Sequence, residues 1–231
     1  EETLRRFLLE AQVAAQLEHP GIAPVYDVGV GPGGGVYFAM RLVHGRSLSE
    51  LITRDEAGSP AKRLEIFLKI CDTVAFAHSR GIIHRDLKPS NVIVGDYGEV
   101  VLVDWGLAKV FGHREDGGAG GVDADEDVDG VLSRAGRLLG TPSYMAPEQA
   151  DGDPNAVGPH TDVHSLGAVL YQMATGSLPF DGDTQAVIFD GILNRDPRPL
   201  AESNPALPAA LGPILEKALE KDRNLRCQSA T

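Results

Sequence analysis

Apolar residues at Leu4, Phe7, Leu8, Ala11, Ala14 and Ala15 recur at helical spacing, so an amphipathic helix is expected up to the stop at His19-Pro20-Gly21. The pattern then changes to two strand-like runs, residues 23–30 and 36–40. The glycine-rich Gly31-Pro32-Gly33-Gly34-Gly35 joins them as a hairpin. Residues 47–53 read as a short helix. Pro60 opens a longer one, with Leu64, Phe67, Leu68, Cys71, Val74, Ala75 and His78 expected on its buried face and Gly81 at its end. A polar loop over 84–91 leads into a second hairpin, 92–94 and 100–103, turning at Gly95-Asp96-Tyr97-Gly98. Helices return over 162–173, 184–194 and 209–221. No internal repeat is visible. The order is a small mixed piece followed by a mainly helical one, an α+β chain.

Composition narrows the field. The 231 residues are 42% hydrophobic and 23% charged, which excludes a disordered or collagen-like chain. Against 21 Lys+Arg stand 33 Asp+Glu, a net charge of -12 that argues against nucleic acid as a partner. One local site can still oppose that field and take a small anion. Residues 112–130 are rich in glycine and acid, with seven acidic residues and no basic one from Glu115 to Asp129, and are expected to be a solvated loop. Two distant thiols, Cys71 and Cys227, make no disulfide framework and fit a reducing, intracellular compartment, with a cytoplasmic location expected for this domain. No run of about 18 apolar residues is present, so no membrane segment is expected in this chain. The charged start, Glu1-Glu2-Thr3-Leu4-Arg5-Arg6, is no signal peptide. It lacks an initiating Met, and a fragment of a longer protein is expected.

The chemistry lies in His84-Arg85-Asp86-Leu87-Lys88-Pro89-Ser90-Asn91. Asp104-Trp105-Gly106 begins eighteen positions after Asp86, and Gly140-Thr141-Pro142-Ser143-Tyr144-Met145-Ala146-Pro147-Glu148 follows. Asp86 and Asn91 share one loop after a buried helix, and Asp104 follows a hairpin that folds back beside that loop. Two carboxylates and an amide, all hard oxygen donors, are thereby expected in one crevice, a set suited to Mg²⁺. Phosphoryl transfer needs a metal to neutralise a triphosphate and a group to orient the attacking hydroxyl.

These three blocks, in this order, resemble the protein kinase superfamily, and in particular the eukaryotic-like Ser/Thr protein kinases of bacteria. The resemblance covers essentially the whole chain. It implies a protein-kinase-like bilobal fold, ATP and Mg²⁺ as cofactors, and Ser/Thr hydroxyls of proteins as acceptors. It implies that Asp86 accepts or orients the substrate hydroxyl proton, that Lys88 holds the transferring phosphate, and that Asn91 and Asp104 bind Mg²⁺. Lys88, two residues after Asp86, and Thr141, seven before Glu148, both resemble the Ser/Thr class, where the threonine bridges Asp86 and Lys88. Glu10, followed by Leu17-Glu18-His19-Pro20-Gly21-Ile22, resembles the helix glutamate that pairs with an ATP-positioning lysine. Met40 would be the gatekeeper. Arg41, Leu42 and Val43 would form the hinge that meets adenine, and Ile93 the adenine floor. Glu148 with Arg226, and Asp162 beneath the catalytic loop, take structural roles. On this resemblance residues 1–43 are the remainder of the small lobe and hinge, 44–231 the large lobe, and 104–148 the activation segment.

Two patterns mislead. Gly29-Val30-Gly31-Pro32-Gly33-Gly34 fits GxGxxG, yet no helix opens after it and no strand lysine follows, since the first lysine in the chain is Lys62. It reads as the hairpin turn. His160 and His164 have metal-pair spacing but no third ligand nearby.

The chain departs from the family pattern where the phosphate-covering glycine loop and its lysine belong, before Glu10. An active kinase represented in part and a non-catalytic kinase-like scaffold that binds protein partners both fit that departure; intact Asp86, Lys88, Asn91 and Asp104 favour the first. A small-molecule phosphotransferase is disfavoured by the block at Ala146-Pro147-Glu148. Arg85, directly before Asp86, resembles the arginine of kinases activated by a phosphate on the activation segment. Ser133, the single hydroxyl residue between Gly106 and Gly140, is the candidate acceptor, with Arg134 and Arg137 beside it. A homodimer is the expected arrangement for autophosphorylation.

Overall fold

In the computed structural model, which describes residues 11, 13–110, 142–205 and 207–230, β1 (Val25–Val30) pairs antiparallel with β2 (Val36–Met40). The turn closes through Gly31 N–H donating to the Gly35 carbonyl at 2.7 Å. Gly34 sits at φ 79°, a conformation glycine adopts without a Cβ clash. Of the helix expected ahead of this hairpin, Ala11 and residues 13–16 are described and helical. Ala11, Val13, Ala14 and Leu17 are buried there, whereas Ala15, expected on the apolar face, is exposed.

Ser47 closes the two-residue strand β3 (Arg46–Ser47) and caps α1 (Leu48–Thr53). Its hydroxyl accepts from Glu50 N at 3.2 Å while the Glu50 carboxylate accepts from Ser47 N at 3.1 Å, a reciprocal box that satisfies two otherwise orphaned donors. β3 lies antiparallel against β4 (Val92–Val94), which pairs in turn with β5 (Val100–Leu102); Ile93 stands opposite both Ser47 and Val101.

Pro60 occupies the first turn of α2 (Pro60–Ser79), where its missing N–H costs nothing. Ser59 caps that helix by accepting from Lys62 N at 3.3 Å. Its buried face is Ile66, Ile70, Thr73, Val74, Ala77 and His78. This corrects the sequence reading: Leu64 and Leu68, expected inside, are 47% and 58% exposed. Two apolar stripes at helical spacing run along α2, and the one containing Ile66 and Ile70 is the stripe packed inside.

Gly21 explains how the preceding chain reaches this core. A Cβ there would lie 2.0 Å from the Thr73 hydroxyl, so only glycine permits the approach. The Gly21 carbonyl then accepts from Leu102 N at 2.8 Å, and Ile22 forms a parallel bridge with Leu102. His19 braces the turn by accepting from Gly21 N through Nδ1 at 3.1 Å and stacking on Phe76 at 5.0 Å.

By contacts the chain divides into two units, Glu1–Ala108 with Ala230–Thr231, and Lys109–Ser229. The lobe boundary expected at 43/44 falls inside the first unit and remains a proposal. The second unit is built on α3 (Pro159–Thr175), α4 (Gln185–Asn194) and α5 (Leu211–Ala218). Val163, Leu166, Ala168, Val169, Leu170, Tyr171 and Met173 of α3 are all buried, which makes α3 its central helix. Gly167 lets α5 come close, since a Cβ there would meet that of Ala218 at 2.9 Å. Gly176 ends α3 in the left-handed conformation, φ 76°, donating to the Gln172 carbonyl at 2.8 Å. Among the described residues no helix is long and apolar enough to cross a membrane.

Candidate active site

The loop between α2 and β4 has few regular backbone partners, so side chains hold its shape. Lys88 is extended, and Pro89–Asn91 then close one 3₁₀ turn in which Asn91 N donates to the Lys88 carbonyl at 3.0 Å. That turn brings three polar side chains together. Lys88 Nζ donates to Asp86 Oδ2 at 2.6 Å. Asn91 Nδ2 donates to the same oxygen at 3.2 Å and to the Asp86 carbonyl at 2.9 Å. Asn91 is buried, while Asp86 and Lys88 keep 25% and 18% of their side chains exposed. The carboxylate is therefore anchored by one oxygen yet open to solvent. The amide nitrogen of Asn91 is committed to Asp86, which leaves its carbonyl oxygen as the metal-competent atom.

Asp104 reaches the same neighbourhood through the backbone. Val103 N donates to the Asn91 carbonyl at 2.9 Å, one residue beyond the end of β5. Asp104 itself is exposed and sits at φ 67°. Arg85 has φ 71° and is half-buried. Non-glycine residues at positive φ are strained, and such strain persists where surroundings impose it, often at functional sites.

His84 is the connector that sequence reasoning left without a role. It is fully buried and accepts from Asp86 N through Nδ1 at 3.3 Å, while Nε2 lies 3.3 Å from the Val103 carbonyl. A ring that accepts at Nδ1 carries its proton on Nε2, so it donates to Val103 and ties the Asp86 loop to the Asp104 strand. Its signal in the sequence was its place at the head of the 84–91 block.

The residues expected around adenine are spread along the first unit. Met40 ends β2 opposite Val25 and is partly exposed. Arg41 N donates to the Pro24 carbonyl at 3.0 Å, Val43 is half-buried, and Ile93 lies mid-strand in β4, also half-buried. Glu10, Ser133 and Thr141 lie outside the described residues.

In the second unit the Arg226 guanidinium clasps the Glu148 carboxylate with both arms, at 2.8 and 3.1 Å, and donates to the His160 and Glu220 carbonyls at 2.8 and 3.0 Å. Thr161 adds a hydroxyl to Glu148 at 2.8 Å. Burial pushes the Glu148 carboxyl upward, but Arg226 and Thr161 outweigh it and hold the group below the usual carboxylate range. Asp162 is fully buried. His160 points Nε2 at the Ala156 carbonyl at 2.9 Å, and among the described residues no three His, Cys, Asp or Glu side chains form a metal-holding group.

The family model for the protein kinase domain matches residues 1–231. Among curated proteins, the chain is 37% identical over 239 residues to serine/threonine-protein kinase PknD of Chlamydia pneumoniae, across 98% of this chain and 25% of that protein. It is 34% identical over 240 residues to PknD of Protochlamydia amoebophila, across 97% of this chain and 24% of that protein. With PknD of Chlamydia caviae it shares 41% over 191 residues, across 76% of this chain and 20% of that protein. The chain thus spans about a quarter or less of the length of these relatives.

Proposed function

We propose, from the premise that this chain belongs to the protein kinase family, that its protein transfers the γ-phosphoryl group of ATP to serine and threonine hydroxyls of proteins. The observation that carries the reading is the joint grip of Lys88 and Asn91 on Asp86 Oδ2, at 2.6 and 3.2 Å, beside β5, two residues after which stands an exposed Asp104. Asp86 is held in place by Oδ2, so Oδ1 is the atom that meets the acceptor hydroxyl and takes its proton. The hydroxyl oxygen attacks the γ-phosphorus as the bond to the bridging oxygen breaks and ADP departs. The Lys88 ammonium stands beside Asp86, where it neutralises charge on the group in transfer.

The donors present fit Mg²⁺: the Asn91 amide oxygen and the Asp104 carboxylate are hard oxygen ligands, and neither sulfur nor imidazole is needed. Bound there, the ion would neutralise the triphosphate. Met40, Arg41, Val43 and Ile93 are the residues proposed around adenine, and Glu10 the partner of a nucleotide-positioning lysine. Thr141 would join Asp86 and Lys88, Asp162 would support the loop from below, and a phosphate on Ser133 would meet Arg85. A cytoplasmic location, and a homodimer in which copies phosphorylate one another, belong to the same proposal.

The test is phosphoamino-acid analysis of a basic protein substrate incubated with MgATP and the full-length protein. Phosphoserine or phosphothreonine is expected. Phosphotyrosine alone would overturn the acceptor class, and no transfer at all would favour the non-catalytic scaffold.

A further inference from the structure

Asp104 occupies the left-handed backbone region, which disfavours a residue with a Cβ, so the chain on both sides must impose it. Upstream, Val103 is fixed through its N–H to Asn91 at 2.9 Å and through its carbonyl to His84 at 3.3 Å. Downstream, the Trp105 carbonyl accepts from Ala108 N at 3.0 Å, and the Trp105 indole Nε1 donates back to the Leu102 carbonyl at 3.3 Å. That last bond joins a side chain to the carbonyl three residues earlier, so it closes a ring around Val103 and Asp104. The indole is 3% exposed, and its ring centre lies 4.6 Å from that of His84. A phenylalanine here could fill the space and touch His84, but it has no donor for Leu102.

We propose that Trp105 is a positioning residue for phosphoryl transfer: its indole N–H latches the Leu102 carbonyl and holds Asp104 in the left-handed conformation that presents its carboxylate to a divalent cation. The proposal rests on the reading of Asp104 as a Mg²⁺ ligand. A buried hydrogen bond between neutral groups shifts a two-state equilibrium by about fivefold, which sets the size of the effect.

The test uses two variants of the full-length protein. One is Trp105→Phe. The other replaces Trp105 with 3-benzothienylalanine, which keeps the fused ring and its stacking and lacks only the N–H, so any failure of the phenylalanine variant to pack is separated from loss of the bond. Nucleotide binding is titrated against Mg²⁺ by calorimetry, and peptide-level hydrogen exchange is followed over residues 103–106. Both variants should need about fivefold more Mg²⁺ for half-maximal binding, with faster exchange over 103–106. A benzothienyl variant with the wild-type Mg²⁺ requirement and wild-type exchange overturns the latch. Asp104→Asn is run alongside. If it binds Mg²⁺ and nucleotide like the wild type, the metal reading falls and the proposal with it. If it loses Mg²⁺ dependence while the benzothienyl variant is unchanged, the latch alone falls.

Discussion

Arg226→Met tests how the second unit is held together. Arg226 is buried and its guanidinium gives two bonds to Glu148 and others to the carbonyls of His160, Glu220 and Lys221. Methionine keeps most of the stem volume and removes every donor. Breaking one side of a buried ion pair costs about 3–5 kcal/mol, because the remaining charge is stranded. Glu148 has one escape, to take up a proton. For a carboxyl of ordinary pKa 4.5 that costs about 3.4 kcal/mol at pH 7 and about 0.7 kcal/mol at pH 5. The carbonyls left without this donor add a cost independent of pH.

The sign follows from linkage. In the wild type Glu148 titrates below its unfolded value, so its stabilisation is present above about pH 4.5 and is lost as pH falls through the lower folded value. In the variant the carboxyl titrates above the ordinary value, so the variant recovers relative stability as pH falls toward 5. The expected loss is about 4 kcal/mol at pH 7 and about 2.7 kcal/mol less at pH 5. Urea unfolding of both proteins at the two pH values, with hydrogen exchange along α3 as the local probe, measures it. Adding Glu148→Gln should recover part of the loss, because no charge is then stranded. A cost below about 1 kcal/mol at pH 7, or one equal at both pH values, would refute the reasoning.

Asp104→Ala should abolish Mg²⁺-dependent nucleotide binding by the full-length protein, since it removes a charged ligand from a site with few carboxylates; unchanged MgATP affinity by calorimetry would count against the role. His164 is fully buried, stacks on Phe180 at 6.2 Å and, among the described residues, bonds through neither ring nitrogen. Burial first, then Arg226 and Lys221, push its pKa well below 6.5, so the unfolded chain takes up the proton first and stability falls as pH drops below about 6.5. His164→Phe should therefore raise the melting temperature and flatten its dependence between about pH 5 and 6.5, and equal slopes in the two proteins would exclude this account. Ser133→Ala should lower the activity of the full-length protein and remove a phosphate seen there by mass spectrometry; an unphosphorylated Ser133 with undiminished activity in the variant would end the idea of Arg85 as its receiver.

Turn residues and blocks were legible where one residue type has one physical use. Pro60 at a helix start, Gly81 just past the end of α2 and the glycines of the first hairpin each mark a boundary by backbone stereochemistry alone. The loop over 84–91 was legible because its residues act within a few positions of each other, so short spacing forces the contacts among Asp86, Lys88 and Asn91. The buried face of α2 was not, because two apolar stripes share the helical period and only packing against β5 chooses between them. The positive φ of Asp104 carried no signal either, since aspartate does not announce that conformation as glycine does. The bond from the Trp105 indole to Leu102 depends on a turn whose shape the residue names do not encode. His164 reads in the sequence only as half of a metal pair, and its full burial belongs to the packing of α3.

In the proposed reaction Asp86 orients the acceptor hydroxyl. The most direct test is single-turnover transfer of radiolabelled γ-phosphate to protein serine or threonine, comparing the wild-type full-length protein with Asp86→Asn at saturating MgATP. The amide is nearly the same size and can still be held by Lys88 and Asn91 through its carbonyl oxygen, so nucleotide binding should persist. The rate of transfer should fall by about 10²–10⁴, the usual contribution of a positioned general base. Equal rates of transfer in the two proteins would contradict the assignment of this site.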